Sequence, residues 1–340
     1  MTTKLAAQPK ILGWMDPAHK KFRKDFPDLA QKLPEYTFFD KVSFRIDGYF
    51  VGQNIGSVVL QVRDKRGVYI VKSTYEPETV TAEVAFLKAW HKAGADVVKV
   101  LDFIRPSRSF PAAVAILEYV PGGTTEDYLK KHPRDLALIY RRFGKGLATL
   151  HRAKGKGFGT MIHPPKLQGR HGTFGAEIRS LLTPQRLKTL VANGLLRKAD
   201  MSLVDKAIAI VEDDVRRGTK PSLIHDDPGL HNTFGTTSLK FFDPGPKLSH
   251  PLEDVAIALV WATFDKGGSR MREALLAGYR SARKFDDQVL QACLFLKLLE
   301  KWEWWLHRGK TEKHALGWIR RTKGLFREAR SALIEGQSGH

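Results

Sequence analysis

The sequence predicts an α+β protein in which a smaller β-rich part precedes a larger, mainly helical one. Three observations carry that expectation. Between Tyr36 and Lys72 the runs YTFFDKVSFRIDGYF, SVVLQVRD and RGVYIVKS alternate and are rich in aromatic and β-branched residues, the pattern of half-buried strands. The run PAAVAILEYV, ending before Pro121-Gly122-Gly123, reads as a buried strand followed by a turn. From residue 135 onward apolar residues recur at helical spacing instead; Leu136, Ile139, Tyr140, Phe143, Leu147 and Leu150 mark one face.

The chain has 340 residues, enough for two domains or lobes, and 42% hydrophobic content is that of a globular protein. No stretch approaches 18 uninterrupted apolar residues, so no membrane span is expected. MTTKLAAQPK lacks the apolar run of a secretory signal. The single cysteine, Cys293, cannot form an internal disulfide, which fits a reducing, cytoplasmic setting. The formal charge is 56 minus 36, or +20, and residues 141–200 hold 13 Lys or Arg against 2 Asp or Glu. Such a surface suits an anionic partner, nucleic acid included, with solubility as the plainer account.

Residues 1–35 are punctuated by Pro17, Pro27 and Pro34 and are expected to hold only short helices. Between the first two strand-like runs, Gly52-Gln-Asn-Ile-Gly56-Ser57 is a turn whose backbone amides could approach phosphates; an ordinary hairpin is the simpler reading. Lys72 ends the strand VYIVK. Glu83 lies on the helical run PETVTAEVAFLKAWHKAG, which Gly94 is placed to stop, and Glu78 is the alternative acidic partner for the lysine. The Gly144 and Gly146 positions weaken the helix over 135–151. Residues 152–176 read as a long, basic, Gly-rich, insertion-like loop with room for short elements. Ser202 with Asp205 three residues later is close to a capping box. Trp302, Trp304, Trp305 and Trp318 fit a helix–helix core better than a stacking surface.

The most informative stretch is 221–254, PSLIHDDPGLHNTFGTTSLKFFDPGPKLSHPLED. It reads as a polar loop between short strands, closed by a second loop carrying another carboxylate. Mg²⁺ takes oxygen ligands from one or two protein carboxylates together with substrate phosphates. Asn232 and Asp243 could supply two such oxygens, leaving Asp227 to orient a hydroxyl and take its proton. A run of turn-forming Asp, Asn, Pro and Gly is the bland alternative.

His225-x-Asp227-x-x-x-x-Asn232, followed by Phe242-Asp243-Pro-Gly, resembles the catalytic core of the aminoglycoside phosphotransferase family, which includes choline and sugar kinases. The resemblance implies a protein-kinase-like fold with two lobes: an extension over 1–35, a nucleotide-binding lobe over 36–120 and a helical lobe over 121–340. It implies ATP and Mg²⁺ as cofactors, held between the lobes. Asp227 would be the catalytic base, with His225 in the same motif, and Asn232 and Asp243 would be the metal ligands. Lys72 would clamp phosphate, with Glu83 holding it; Gly52, Gly56 and Ser57 would lie over the phosphates, and Glu118 and Val120 would meet the adenine through their backbones. Asp254 would brace the catalytic loop. Two departures stand out. Asp226 occupies the family's usual Gly position, and the loop reads PGLH where the family commonly has a His sooner after the catalytic Asp.

The resulting expectation is an ATP-dependent phosphotransferase acting on a hydroxyl of a small molecule, whether antibiotic, sugar, amino alcohol or nucleoside. The competing expectation is a kinase-like module that binds nucleic acid or another anion without turnover. Oligomeric state is not written in the sequence.

Overall fold

The computed structural model describes residues 10–11, 33, 37–39, 42–50, 57–74, 77–106, 113–164, 166–309 and 313–335. They divide into two compact units, one built from residues up to 91 together with 97–121, the other from 92–96 and residues from 122 onward. Nearly all of the expected extension over 1–35 lies outside the described residues.

In the first unit, strands β1 (Lys10–Ile11), β2 (Phe44–Phe50), β3 (Ser57–Asp64), β4 (Gly67–Thr74), β5 (Val100–Ile104) and β6 (Ala113–Glu118) form one sheet. The order is β1-β2-β3-β4-β6-β5, and every neighbouring pair except the parallel β1–β2 is antiparallel. Alternation along β3 sends Val58, Leu60 and Val62 into a core shared with Phe39, Ile46, Val71, Val114 and Ile116. The first expected strand is shorter than its sequence pattern. Thr37–Phe39 is a 3₁₀ turn, and Phe38 and Phe39 both pack on Tyr69, which consecutive strand residues on opposite faces could not do. Five successive residues of β6 are buried, which explains its unbroken apolar run. The helix Pro77–Lys92 buries Val80, Val84, Leu87 and Trp90 and stops before Gly94, whose φ of +84° favours glycine.

The second unit is mainly helical. Leu252–Phe264 is buried along nearly its whole length, as expected of a helix apolar on all sides. Asp287–Arg308 packs against it and against Lys313–Glu335. Leu136–Leu150 packs on Gly268–Arg280. A β-carbon at Gly144 would lie 2.0 Å from the Leu275 carbonyl oxygen, and one at Gly278 would lie 1.9 Å from that of Arg141. The glycines that weaken these helices locally are therefore where their backbones touch.

Four further strands, β7 (Phe158–Met161), β8 (Gly169–His171), β9 (Ser222–Ile224) and β12 (Lys247–Ser249), make an antiparallel sheet in the order β8-β7-β12-β9. The short elements of the segment 152–176 are β7 and β8, and β7 gains its strand character from β12, almost ninety residues on, a pairing that local sequence cannot announce. Ser202 also departs from expectation. It begins the helix Ser202–Arg216 but makes no side-chain cap, because the 3₁₀ turn Lys198–Asp200 leads straight in. Among the described residues no helix is long and apolar enough to cross a membrane.

Candidate active site

β9 ends at Ile224, and the next two residues are fixed by one carboxylate. Asp254 accepts the His225 backbone N–H through Oδ2 at 2.6 Å and the Asp226 N–H through Oδ1 at 2.8 Å. It sits fully buried in the first turn of Leu252–Phe264, where the helix dipole favours negative charge. Behind it, His151 Nε2 lies 3.0 Å from Oδ2, and His151 Nδ1 lies 2.9 Å from the Tyr279 hydroxyl. Burial pushes the His151 pKa down, so the ring is neutral. Its Nε2–H then donates to Asp254, and Nδ1 accepts from Tyr279. The His225 side chain ties the two loops together: Nε2 lies 2.9 Å from the Phe242 carbonyl, which can only accept, so that nitrogen carries the proton.

Asp226 adopts φ +63°, a conformation that favours glycine, and it stands where the resembling family has Gly. The turn sends two successive carboxylates into different surroundings. Asp226 Oδ1 lies 3.4 Å from Lys297 Nζ and 4.0 Å from Lys247 Nζ. Those two buried lysines also hold Glu177, Glu253 and Glu300, with Lys247–Glu177 at 2.5 Å, Lys247–Glu253 at 3.0 Å and Lys297–Glu300 at 2.8 Å. Burial would lower the Lys247 pKa, but the surrounding carboxylates raise it well above the ordinary value.

Asp227 faces elsewhere. Trp261 Nε1–H donates to its Oδ1 at 3.2 Å, and His231 Nε2 lies 3.4 Å from its Oδ2. Burial alone would raise the Asp227 pKa; the hydrogen bond and charge of His231 outweigh it and hold the carboxyl at about 2. The same contact raises the His231 pKa against the lowering effect of burial. Asp227 is therefore ionised throughout the physiological range, and its side chain is 45% exposed.

Asn232 closes the loop. Its side-chain Nδ2–H donates to the Asp227 carbonyl at 3.0 Å, which leaves the amide oxygen as the group it can offer a ligand. Its backbone carbonyl accepts the Phe242 N–H at 3.2 Å, and the hairpin of β10 (Thr233–Phe234) and β11 (Lys240–Phe241) begins at the next residue. Asn232 is thereby tied to the residue preceding Asp243, which is exposed and held at φ +56°. The ring of Phe241 rests on Gly146, where a β-carbon would lie 2.7 Å from it. One amide oxygen and one carboxylate suit Mg²⁺, which takes few protein ligands and completes its shell with phosphate oxygens and water. Among the described residues no group of three His, Cys, Asp or Glu is arranged to hold a metal, so such an ion would depend on nucleotide phosphates.

The remaining expected residues belong to the first unit. Lys72 Nζ lies 2.6 Å from Glu83 Oε2, with side-chain exposures of 13% and 4%, while Glu78 is exposed. Ser57 opens β3 opposite Thr74. Gly52 and Gly56 lie outside the described residues. The Glu118 N–H donates to the Lys99 carbonyl at 3.0 Å, which takes that donor out of the expected adenine contacts; Val120 follows the end of β6, half-buried.

Sequence reasoning missed Trp261, Lys247, Lys297 and Glu177, all recruited from outside the motif. A cavity of about 200 Å³ opens beside Asp226, with Lys247, Glu177, Glu300, Arg170 and His171 in its walls. Arg170 and His171 of β8 thus bring the segment 152–176 to the cavity that Asp226 lines.

The model of the phosphotransferase enzyme family APH matches residues 47–293. No curated protein matches the chain significantly. Aminoglycoside phosphotransferase APH(4)-Ia superposes with a TM-score of 0.62 at 14% identity, over 90% of this chain and 99% of its own. A thermostable mutant of that enzyme, in ternary complex with AMP-PNP and hygromycin B, gives 0.61 at 16% identity, over 91% and 99%. A candidate fructosamine-3-kinase from Haemophilus somnus 129PT gives 0.50 at 13% identity, over 82% and 88%. At these identities the structures establish the shared α+β, kinase-like fold. The family model spans more than half of the residues, and this chain belongs to the phosphotransferase enzyme family.

Proposed function

We propose that the protein transfers the γ-phosphoryl group of ATP to a hydroxyl of a small molecule, with Asp227 as the base. The observation that carries this reading is the geometry of one loop: Asp227 is ionised and oriented by Trp261 and His231, while Asn232 and the Asp243 loop are fastened beside it. In this reading Asn232 and Asp243 hold Mg²⁺, which would neutralise charge on the transferring phosphates. Lys72, oriented by Glu83, would take a phosphate oxygen, and His225 would keep the loops in register. The structural relatives support nucleotide and small-molecule binding, since one of them holds AMP-PNP and hygromycin B together.

The acceptor would approach on the outward side of the loop, where Asp227 is partly exposed beside Trp261 and His231, and not in the cavity beside Asp226, which Asp227 does not line. Cys293, buried and free, agrees with a reducing, cytoplasmic setting. The alternative of a nucleic-acid-binding module without turnover rests on the net charge of +20 alone.

The test is an acceptor screen. The protein is incubated with Mg²⁺–ATP and panels of sugars, amino alcohols, nucleosides and aminoglycosides, and products are read by mass spectrometry. A phosphorylated product that disappears with Asp227→Asn supports the assignment. Absence of any ATP-dependent product across the panels overturns the enzymatic reading.

A further inference from the structure

A second cavity, of about 320 Å³, lies in the helical unit and includes no residue of the catalytic loop. Its floor is apolar. Trp302 and Phe326 meet there with ring centroids 4.5 Å apart, beside Leu195, and the Trp302 ring is fixed by an Nε1–H bond of 2.8 Å to Thr322 Oγ1. Its rim is cationic, formed by Arg197, Lys323, Arg327 and Arg330 around the single carboxylate Asp200.

Asp200 is already saturated. Arg197 donates two N–H groups to it at 2.8 and 3.0 Å, and Arg330 donates two more at 2.9 and 3.0 Å. Lys323 and Arg327 are exposed and make no ion pair with any described residue. Four cations against one carboxylate leave a surplus of three. Lys323, Arg327 and Arg330 stand four and three residues apart on one helix, so they are surface neighbours. Like charges at that spacing destabilise a helix. The arrangement is unfavourable for the protein alone and is relieved by an anion.

We propose that this cavity binds a phosphate monoester carrying a flat apolar group. A phosphate monoester is close to a dianion at neutral pH, which matches a surplus of three better than a carboxylate does. The guanidinium fork pairs with two phosphate oxygens at once. The apolar body lies against Leu195 and the small part of Trp302 and Phe326 that faces the cavity, in a space at the lower end of the range for small-ligand pockets. The basic excess of the sequence thus gains a defined locus, part of it well beyond residues 141–200.

The experiment is calorimetric titration of the full-length protein with 1-naphthyl phosphate, against inorganic phosphate, 1-naphthol and 1-naphthoate. One site is expected, with naphthyl phosphate about tenfold or more tighter than each control and affinity falling as salt rises. The double variant Lys323→Glu/Arg327→Glu, both at exposed positions, loses about tenfold or more in affinity with its thermal melt unchanged. If charge reversal disturbs folding, Lys323→Gln/Arg327→Gln gives the same loss in smaller degree. The proposal is overturned if naphthyl phosphate does not bind, if a control binds equally well, or if affinity survives in the folded variant, as it would for a ligand seated at the catalytic loop.

Discussion

Two ionic regions meet at the loop that follows β9, and adjacent residues supply one carboxylate to each. Inward, Asp226 joins Lys247, Lys297, Glu177, Glu253 and Glu300, where every cation is held by several carboxylates. Outward, Asp227 has an indole, an imidazole and the Asn232 amide for neighbours and remains partly open to solvent. Both regions lie on either side of one left-handed residue. The inner one is saturated, so it can fix geometry but has little capacity for new chemistry. The outer one keeps an ionised oxygen within reach of a ligand, which is what a base requires.

The sharpest way to break this contrast is Asp227→Asn. It keeps the side-chain size, removes the proton acceptor, and is expected to lower kcat by roughly two to four orders of magnitude with nucleotide affinity little changed. Because the Asp227 pKa is lowered to about 2, its base form persists as pH falls, and the wild-type rate should show no acid limb from this group above about pH 3. The linked stability is present above the ordinary pKa near 3.8 and is lost only as pH falls towards 2.

Lys247→Met probes the inner region. It leaves Glu177 and Glu253 buried with one cation fewer, and urea denaturation should show a loss of about 3–5 kcal/mol. A loss below about 1 kcal/mol would mean that the cluster is not held by its lysines. Asp243→Ala acts on the outer region. Mg²⁺-dependent ATP affinity should fall by at least about ten- to a hundredfold, the span for losing a residue that only supports a metal ligand, while binding without Mg²⁺ is unchanged; calorimetry with and without the metal separates the two.

Asp226→Gly should have the smallest effect. Glycine relieves the strain of φ +63° but removes a partner of Lys297, so stability should move by no more than about 1 kcal/mol and activity should persist. Loss of turnover in this variant, with Asp227→Asn still active, would reverse the assignment of the base.

Much of this site was legible because its parts lie close in sequence. The interval from Asp227 to Asn232 spans one loop, and the Asp243 loop follows a short hairpin, so spacing alone brings them together. Lys72 and Glu83 were legible for a similar reason, as the end of a strand and the second turn of the following helix. The inner region was not legible. Glu177, Lys247 and Lys297 are separated by 70 and 50 residues and read locally as surface charges; only the packing of β12 between β7 and β9, with Asp287–Arg308 alongside, makes them neighbours. Trp261 was hidden likewise, as one more apolar residue in the run VAIALVWATF. By propensity Gly144 only weakens its helix, because propensity describes a helix alone, whereas the close approach to Leu275 belongs to a pair of helices.

The Asp254 carboxylate has a consequence for timescales. Loops ordinarily release their amide protons to solvent quickly, since their hydrogen bonds open without disturbing a core. The amides of His225 and Asp226 are instead sealed against a fully buried acceptor on Leu252–Phe264, itself backed by His151 and Tyr279. Freeing them requires that buried helix to part from its neighbours, so this stretch of loop opens on the clock of the core, and Asp227, the proposed base that follows it, is held in place ahead of any ligand.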